Sequence, residues 1–530
     1  MRSSTESAEE VRTVEIIGTL CLATDLGMGF PFEHGLQTTV IAMRLADTLG
    51  VDRDTAVQTY YASLLAHAGC TTDVHVHSQV FGSSMTENFN PLMYGSSREV
   101  ITGLIRSLPD PGASGPTRAT QVARRLPRMI SASRPALAAN CEVAGMLADR
   151  TGAPGSVSAM LEYLLERWDG RGPLHRARGE GIPLPMRIVH VAIDAALQRH
   201  LGGAAFAAAL VGERSGHAFD PDVGGCLTRQ SGEILAFDGA TSAWDEVLAV
   251  EPGPPLMLNG GEVDGALAAM GRFADLVSPY LSGHSSGVAE LAAAAAERFG
   301  IEAGGVRNVL RAGFVHDLGR VAVHARIWAK RGPLTADEWE RVRLHPYHTE
   351  RVLSRAQFLA PLAPVATAHH EHLDRSGYHR GSPAAELTMP ARLLAAADTF
   401  HAMCEPRPHR EPLGPEQAAE ALAAEADSGH LDPDAATAVV EAAGRKAPRL
   451  ERPAGLTARE SQVVMLLARG LMTKQVAKAL GISTKTADRH IQNAYGKIGV
   501  SSRAAATLFA MEHGLVAWGE LPIEGRGGQP

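Results

Sequence analysis

Seven of the histidine and aspartate side chains between residues 284 and 398 of this 530-residue chain are spaced as candidate metal ligands. The positions are His284, His316, Asp317, His345, His369, His370 and Asp398. Imidazole and carboxylate groups are the ligands that borderline divalent transition metals favour. The sequence between these positions reads as helices, and ligands on different helices can converge in the core of a bundle. The pattern therefore predicts an all-α domain built around a metal centre.

The segments around these seven positions carry further information. They are GHSSGVAELA, HDLGR, GPLTADEWERVRLHP, AHHEHLDRSGYHRG and MPARLLAAADTF. Together they resemble the HD-GYP subclass of HD-domain phosphohydrolases over residues 262–443. The resemblance implies a helical domain that binds two divalent transition metals, iron or manganese, through all seven residues, with Asp317 bridging them. It also implies cleavage of a phosphorylated small molecule such as cyclic di-GMP, in which two metals clamp the phosphoryl group and activate water.

Four positions depart from the pattern of that subclass. Arg320 replaces a lysine that contacts phosphate, and arginine keeps the charge with a different geometry. The signature tripeptide reads Gly377-Tyr378-His379, without its proline. Tyr280 stands where trinuclear members have a carboxylate, and His401 replaces a second aspartate. We therefore predict a binuclear site with Asp317 and Arg320 as catalytic residues, and we leave turnover open.

The C-terminal segment 456–516 has apolar residues at helical spacing. Gly481 is placed to end one helix, and Ser483 is a good N-cap for a next helix that begins at Thr484. Two short helices joined by a tight glycine-containing turn form a helix-turn-helix. The segment holds eight Lys or Arg against three acids, a formal charge of +5, whereas the whole chain carries −8. A basic module on an acidic body predicts double-stranded DNA as a partner.

This segment closely resembles the LuxR-type DNA-binding domain, a four-helix module that we place at residues 456–520. The resemblance makes Thr484 to Lys497 the recognition helix. It implies contacts to bases or phosphates by Lys485, Thr486, Arg489 and His490, and contacts to the DNA backbone by Lys474 and Lys497. Thr484, the first residue of that helix, is also expected to bind DNA. Such modules usually act as dimers on paired half-sites, so we predict a homodimer.

The N-terminal part, residues 1–249, resembles a second, degenerate copy of the metal-binding domain. His34 corresponds to His284 and His67 to His316, and LLERWDGRGPLHRARGEGIPLPMRIVHVAID parallels HHEHLDRSGYHRGSPAAELTMPARLLAAADT. SGHAFDPDV likewise parallels SGHLDPDAA. A repeat this long indicates duplicated domains. Linkers are predicted at 250–261 and 444–455, where proline and glycine cluster.

Most metal ligands are lost from the first copy. Ala68 stands in place of Asp317, Leu164 and Leu165 in place of the histidine pair, and Ile193 in place of Asp398. Asp194 is one residue further along and points about 100° away on a helix. We therefore predict an inactive copy that serves as a scaffold or binds a ligand. The alternative is a single metal bound by His34, His67, His75 and His77.

Composition sets the broader class. The hydrophobic content of 45% and charged content of 20% are typical of a globular protein, and there is no apolar run of about 18 residues. The five cysteines lack CxxC spacing, which indicates reduced thiols and a cytoplasmic protein.

Three hypotheses follow for function. The first is a DNA-binding transcriptional regulator whose metal-binding domain senses a phosphorylated small molecule, which it either hydrolyses slowly or only binds. The second is an active phosphodiesterase with an accessory DNA-binding module. The third is a pseudo-enzyme scaffold that controls DNA binding through a protein partner.

Overall fold

The computed structural model describes residues 10–70, 92–110, 112–237, 239, 241–444, 453–468, 471–500, 503–513 and 515. These residues are mostly helical, which confirms the predicted fold class, and one small antiparallel sheet accompanies the helices. No described helix combines the length and hydropathy that crossing a membrane requires. The chain divides into two compact units, one formed by residues 1–282 with 317–361 and the other by 283–316 with 362–530.

The first copy consists of helices of varied length. They are α1 (Thr13–Met28), α2 (His34–Leu49), α3 (Arg53–Leu65), α4 (Ser97–Ser107), α5 (Gly115–Arg150), α6 (Gly155–Leu161), α7 (Leu184–Gly202), α8 (Ala204–Arg214), α9 (Pro221–Arg229), α10 (Ser231–Ile234) and α11 (Ala243–Ala249).

The segment predicted to be the second copy is also helical. Its helices are α12 (Gly260–Asp275), α13 (His284–Phe299), α14 (Ala303–Val315), α15 (Ala325–Trp328), α16 (Ala336–Arg343), α17 (His345–Leu353), α18 (Ala363–Ala366), α19 (Met389–Met403), α20 (Pro415–Asp427) and α21 (Pro433–Ala442). Short 3-10 helices occur at Gly179–Gly181, Pro279–Leu281, Leu318–Ala322, Ala360–Leu362, Ala384–Glu386 and Pro453–Gly455.

An ion pair and a helix cap recur in both copies. In the first copy Arg187 lies 2.7 Å from Asp220, whose carboxylate caps the N-terminus of α9. In the second copy Arg392 lies 2.9 Å from Asp432, which caps α21 in the same way. Both aspartates belong to the repeated SGH-containing segment. The recurrence supports the internal duplication predicted from the sequence.

The two compact units do not follow the boundaries of the repeat. A short strand β1 (Val11–Arg12) pairs antiparallel with β2 (Met257–Leu258), inside the segment predicted to be a linker. Helix α1 also packs against the 3-10 helix Leu318–Ala322 and against α17. The segment 317–361 therefore shares a compact unit with the first copy.

The C-terminal module contains the four predicted helices, α22 (Ala458–Ala468), α23 (Thr473–Ala479), α24 (Thr484–Ile498) and α25 (Arg503–Glu512). Its buried core consists of Val463, Leu467, Val476, Ala477, Ala487 and Ile491. These are apolar residues at helical spacing in the sequence, so the periodicity located the core correctly.

Candidate metal centre and DNA-binding surface

Four buried histidines lie at or just beyond helix ends. His284 begins α13, His345 begins α17, His316 caps the C-terminus of α14, and His369 follows α18. Each is at most 2% exposed. A helix terminus leaves main-chain groups without intrahelical partners, which makes it a suitable place to anchor a side chain.

In the second unit, three of these rings are held through Nδ1. The Nδ1 atom of His316 lies 2.7 Å from the carbonyl oxygen of Gly313, and that of His369 lies 2.7 Å from the carbonyl of Ala366. His284 Nδ1 lies 2.9 Å from the Glu405 carboxylate. A carbonyl oxygen only accepts, so in His316 and His369 Nδ1 carries the proton and Nε2 keeps its lone pair, whereas in His284 both ring nitrogens face carboxylate oxygens. Metal-binding histidines are oriented in the same way.

Asp398 provides a carboxylate to this group of histidines. Its Oδ1 lies 3.0 Å from His284 Nε2 and 3.8 Å from His316 Nε2, and its Oδ2 lies 3.8 Å from His370 Nδ1. One ligand atom from each of His284, His316 and Asp398 lies within 4.8 Å of the others. Metal–ligand bonds of about 2.0–2.2 Å bring neighbouring ligand atoms to roughly 3 Å from one another. The donor set and its spacing therefore fit a divalent transition metal.

The pKa of Asp398 follows from the same contacts. Burial by itself raises the pKa of this carboxyl, but the neighbouring imidazoles of His284 and His316 hold it well below its usual value. The carboxylate is therefore ionised at neutral pH, as a metal ligand must be.

The first unit holds three of the predicted site residues. Asp317 Oδ1 lies 3.2 Å from His345 Nε2, and Asp317 Oδ2 lies 2.7 Å from the Arg320 guanidinium. His345 Nδ1 lies 2.6 Å from the Val342 carbonyl, so Nδ1 donates and Nε2 is the ring nitrogen that faces Asp317. Asp317 directly follows His316 in the chain.

Arg320 lies over the indole of Trp328, 5.3 Å from the ring centroid. The arginine is 6% exposed, and its Nε and Nη1 atoms have no hydrogen-bond partner among the described residues. A buried guanidinium with donors to spare fits the predicted contact to a phosphate group.

Sequence reasoning missed Glu405, which lies within residues 262–443 but after the last of the segments that carry the HD-GYP resemblance, MPARLLAAADTF. Its carboxylate contacts His284 Nδ1, His401 Nδ1 at 3.1 Å and the Arg407 guanidinium at 2.9 Å. Burial raises the pKa of Glu405, but the hydrogen bonds from His284 and His401 outweigh it and lower that pKa to about 2. His401 fits beside α13 because residue 287 is glycine, whose missing Cβ leaves room for the imidazole.

The Glu405→Gln substitution tests this contact. The amide keeps the shape of the side chain but loses the charge that holds the His284 ring, so we expect metal affinity to fall about 10–100-fold. Metal content measured at controlled free metal concentration gives the result, with the exposed Glu411→Gln as control. Equal affinity in the two variants would show that Glu405 does not orient His284.

The first copy is filled at the corresponding positions by apolar groups. Ala68, Leu164 and Ile193 are buried, and the rings of His34 and His67 lie 6.2 Å apart. Burial lowers the pKa of His34 to about 3 and that of His67 to about 4, so both rings are neutral at pH 7.

The described part of the first copy contains no group of three or more His, Cys, Asp or Glu close enough to hold a metal. His75 and His77 lie outside the described residues. The neighbouring acid Asp194 lies 2.6 Å from the Arg214 guanidinium, and both side chains are buried. Asp194, the acid next to the position that corresponds to Asp398, thus forms an internal ion pair with Arg214.

In the C-terminal module, α24 is the recognition helix predicted from the sequence. The Ser483 hydroxyl accepts a hydrogen bond from the Thr486 amide, and Gly481 has a left-handed φ of 63°. All the predicted contact residues are exposed or half-buried, namely Lys474, Thr484, Lys485, Thr486, Arg489, His490 and Lys497. They therefore include residues that DNA can reach.

Lys497 has contacts within the module. Its Nζ lies 2.6 Å from the Glu460 carboxylate, which is buried, and 2.9 Å from the Gly455 carbonyl. Its predicted contact to DNA remains a prediction, and the structure adds an ion pair between α24 and α22.

Comparison with known proteins agrees with this architecture. The HD domain family matches residues 269–435, and the family described as bacterial regulatory proteins, luxR family, matches residues 454–510. The chain is 26% identical over 434 residues to the 3'3'-cGAMP-specific phosphodiesterase 3 of Vibrio cholerae, covering 81% of this chain and 94% of that protein. It is 35% identical over 167 residues to a cyclic di-GMP phosphodiesterase of Pseudomonas aeruginosa, which covers 31% of this chain and 40% of the relative.

The crystal structure of a cyclic GMP-AMP-specific phosphodiesterase from V. cholerae superposes with a TM-score of 0.55 at 22% identity, covering 82% of this chain and 98% of the other. That likeness concerns the fold. The 434-residue match to the V. cholerae sequence is longer than the part of this chain from residue 250 onward, so it extends into the first copy. The chain is thus a homologue of cyclic dinucleotide phosphodiesterases with an HD domain, to which a C-terminal luxR-family helix-turn-helix DNA-binding domain is fused.

Proposed function

We propose that this chain is a transcriptional regulator whose metal-bound HD domain senses, and hydrolyses, a cyclic dinucleotide. The observation that supports it most directly is the anchoring of four buried histidines through Nδ1, three of which place Nε2 3.0–3.8 Å from the carboxylate of Asp398 or Asp317. Hydrogen bonds that orient four rings in this way prepare them to bind metal. The relatives named as cyclic dinucleotide phosphodiesterases give the class of ligand.

The proposed metal ligands are those predicted from the sequence, His284, His316, Asp317, His345, His369, His370 and Asp398. Imidazole and carboxylate donors suit two iron or manganese ions. When bound, two such ions supply an activated water and a positive charge for the phosphoryl oxygens. Arg320, held by Asp317 and Trp328, directs its remaining N–H groups to a phosphate oxygen.

A sensor role requires coupling between ligand binding and DNA binding. Coupling is reciprocal, so a ligand that raises or lowers DNA affinity by some factor changes its own affinity by the same factor when DNA is bound. We propose that the C-terminal module binds paired half-sites as a homodimer, as helix-turn-helix proteins commonly do.

The test measures both affinities on the full chain. DNA selected by the protein from a random duplex pool is titrated at fixed salt with and without 3'3'-cGAMP or cyclic di-GMP, and ligand affinity is measured with and without that DNA. We expect the cyclic dinucleotide to change the DNA affinity, and the DNA to change the affinity for the cyclic dinucleotide, by the same factor of about 5–150. Hydrolysis without any change in DNA affinity would instead establish a phosphodiesterase with an accessory DNA module. If neither hydrolysis nor a change in DNA affinity is observed, the chain is instead a scaffold that responds to a protein partner.

The Arg489→Ala substitution tests the DNA surface. Arg489 is exposed on α24, and losing one phosphate contact should weaken binding and reduce the slope of log affinity against log salt by about one unit. Fluorescence anisotropy at several salt concentrations measures both. Lys478→Ala, an exposed residue on α23, removes the same charge and is the control. If the two variants bind alike, Arg489 makes no particular contact with DNA.

A further inference from the structure

A second cluster of potential metal ligands lies outside the HD site. One ligand atom from each of His372, Asp374 and His430 lies within 4.8 Å of the others. The two imidazole rings are stacked, with centroids 4.7 Å apart and planes 19° from parallel. His430 Nε2 lies 3.7 Å from Asp374 Oδ2. All three residues are partly exposed, so an ion in solution can reach them.

Neighbouring groups hold these side chains in place. His430 Nδ1 lies 2.6 Å from the Glu425 carboxylate, and His372 Nδ1 lies 2.8 Å from the Ser376 hydroxyl. Asp374 Oδ1 accepts the Ser376 amide hydrogen, which leaves Oδ2 to face His430. A carboxylate behind an imidazole orients the ring and strengthens the opposite nitrogen as a ligand.

The main chain joins the two segments that carry the cluster. The Leu373 amide donates to the His430 carbonyl at 3.0 Å, so the loop after the histidine pair is attached to the turn between α20 and α21. The ligands therefore keep their spacing without a large loss of chain entropy on binding.

In the first copy, different side chains occupy the positions equivalent to this cluster. Arg167 stands where the second copy has His372, and its guanidinium bonds both oxygens of Asp169. The Asp169 amide donates to the carbonyl of His217, so the main chain is joined there as well. The first copy thus provides a cation from its own chain to the carboxylate, whereas the second copy places two imidazole rings there.

We propose that His372, Asp374 and His430 form a peripheral site for a divalent transition metal such as zinc. Two imidazole nitrogens and one carboxylate oxygen match the ligand set of zinc sites in which a fourth position is open to water. The bound ion would link the loop after His370 to the α20–α21 turn, and Tyr378 of that loop packs against His370 at a centroid distance of 4.3 Å. The site does not depend on catalysis in the HD domain.

Equilibrium dialysis of the full chain against buffered free zinc tests the proposal. We expect wild type and His409→Gln, which alters an exposed histidine elsewhere, to bind one more equivalent than His372→Arg or His430→Gln. His372→Arg introduces the residue found in the first copy, so it should fold. In an Asp317→Ala background, His372→Arg or His430→Gln should again lose one equivalent of zinc. When the protein is loaded with cobalt(II), the same cluster variants should also lose an absorption band of the bound ion. Equal zinc uptake by wild type and both cluster variants would overturn the peripheral site, whatever the HD site binds.

Discussion

Protein carrying Asp317→Ala should lose both metal equivalents and hydrolyse cyclic dinucleotides at an undetectable rate. Asp317 is fully buried between His345 and Arg320, and the HD-GYP resemblance makes it the ligand that both metals share. Removing it would take negative charge from both proposed ions at once and leave the Arg320 guanidinium without its carboxylate partner. The loss should exceed the roughly 10–100-fold effect that altering an outer partner of a ligand has.

Metal content per chain and hydrolysis of 3'3'-cGAMP and cyclic di-GMP provide the measurement. Asp317→Asn keeps the side-chain shape and guards against a folding defect, while Asp337→Ala removes an exposed acid from α16 as a control. Binding of selected DNA should remain, because the C-terminal module has its own core. Two equivalents of metal in both Asp317 variants would refute the assigned site.

The Arg214→Met variant should destabilise the first copy by about 3–5 kcal/mol, the cost of leaving one member of a buried ion pair without its partner. The Arg214 and Asp194 side chains are only 7% and 1% exposed. Burial raises the pKa of Asp194 even though Arg214 and Gln198 lower it. In the variant that pKa rises further, so the folded state takes up a proton more readily than the unfolded chain. The destabilisation should therefore be greatest at neutral pH and decrease as pH falls towards the ordinary aspartate value.

Hydrogen exchange of amides in α7 and α8 measures the effect locally, because a chain with several domains need not unfold in one step. The double variant Asp194→Leu/Arg214→Met removes both charges and should recover most of the lost stability. If the single and double variants open equally easily, the ion pair does not stabilise the first copy.

Much of the candidate site was predictable from the sequence because ligand chemistry depends on residue type and order. Histidine and aspartate at seven spaced positions predicted a metal centre, and Leu164 and Ile193 predicted that the first copy lacks one. Ser483 and Gly481 predicted the ends of the helices that flank the turn, since capping is a local property of the chain.

The sequence by itself therefore determined the fold class, the DNA-binding module and the residues able to bind metal. Only the tertiary structure showed that Glu405 anchors His284, that Lys497 reaches Glu460 and that α1 packs against the segment after Asp317. It also brought His372 and His430 together from segments 58 positions apart. Each of these contacts joins residues that are far apart in the chain, and their meeting depends on how the helices pack, which local periodicity does not encode.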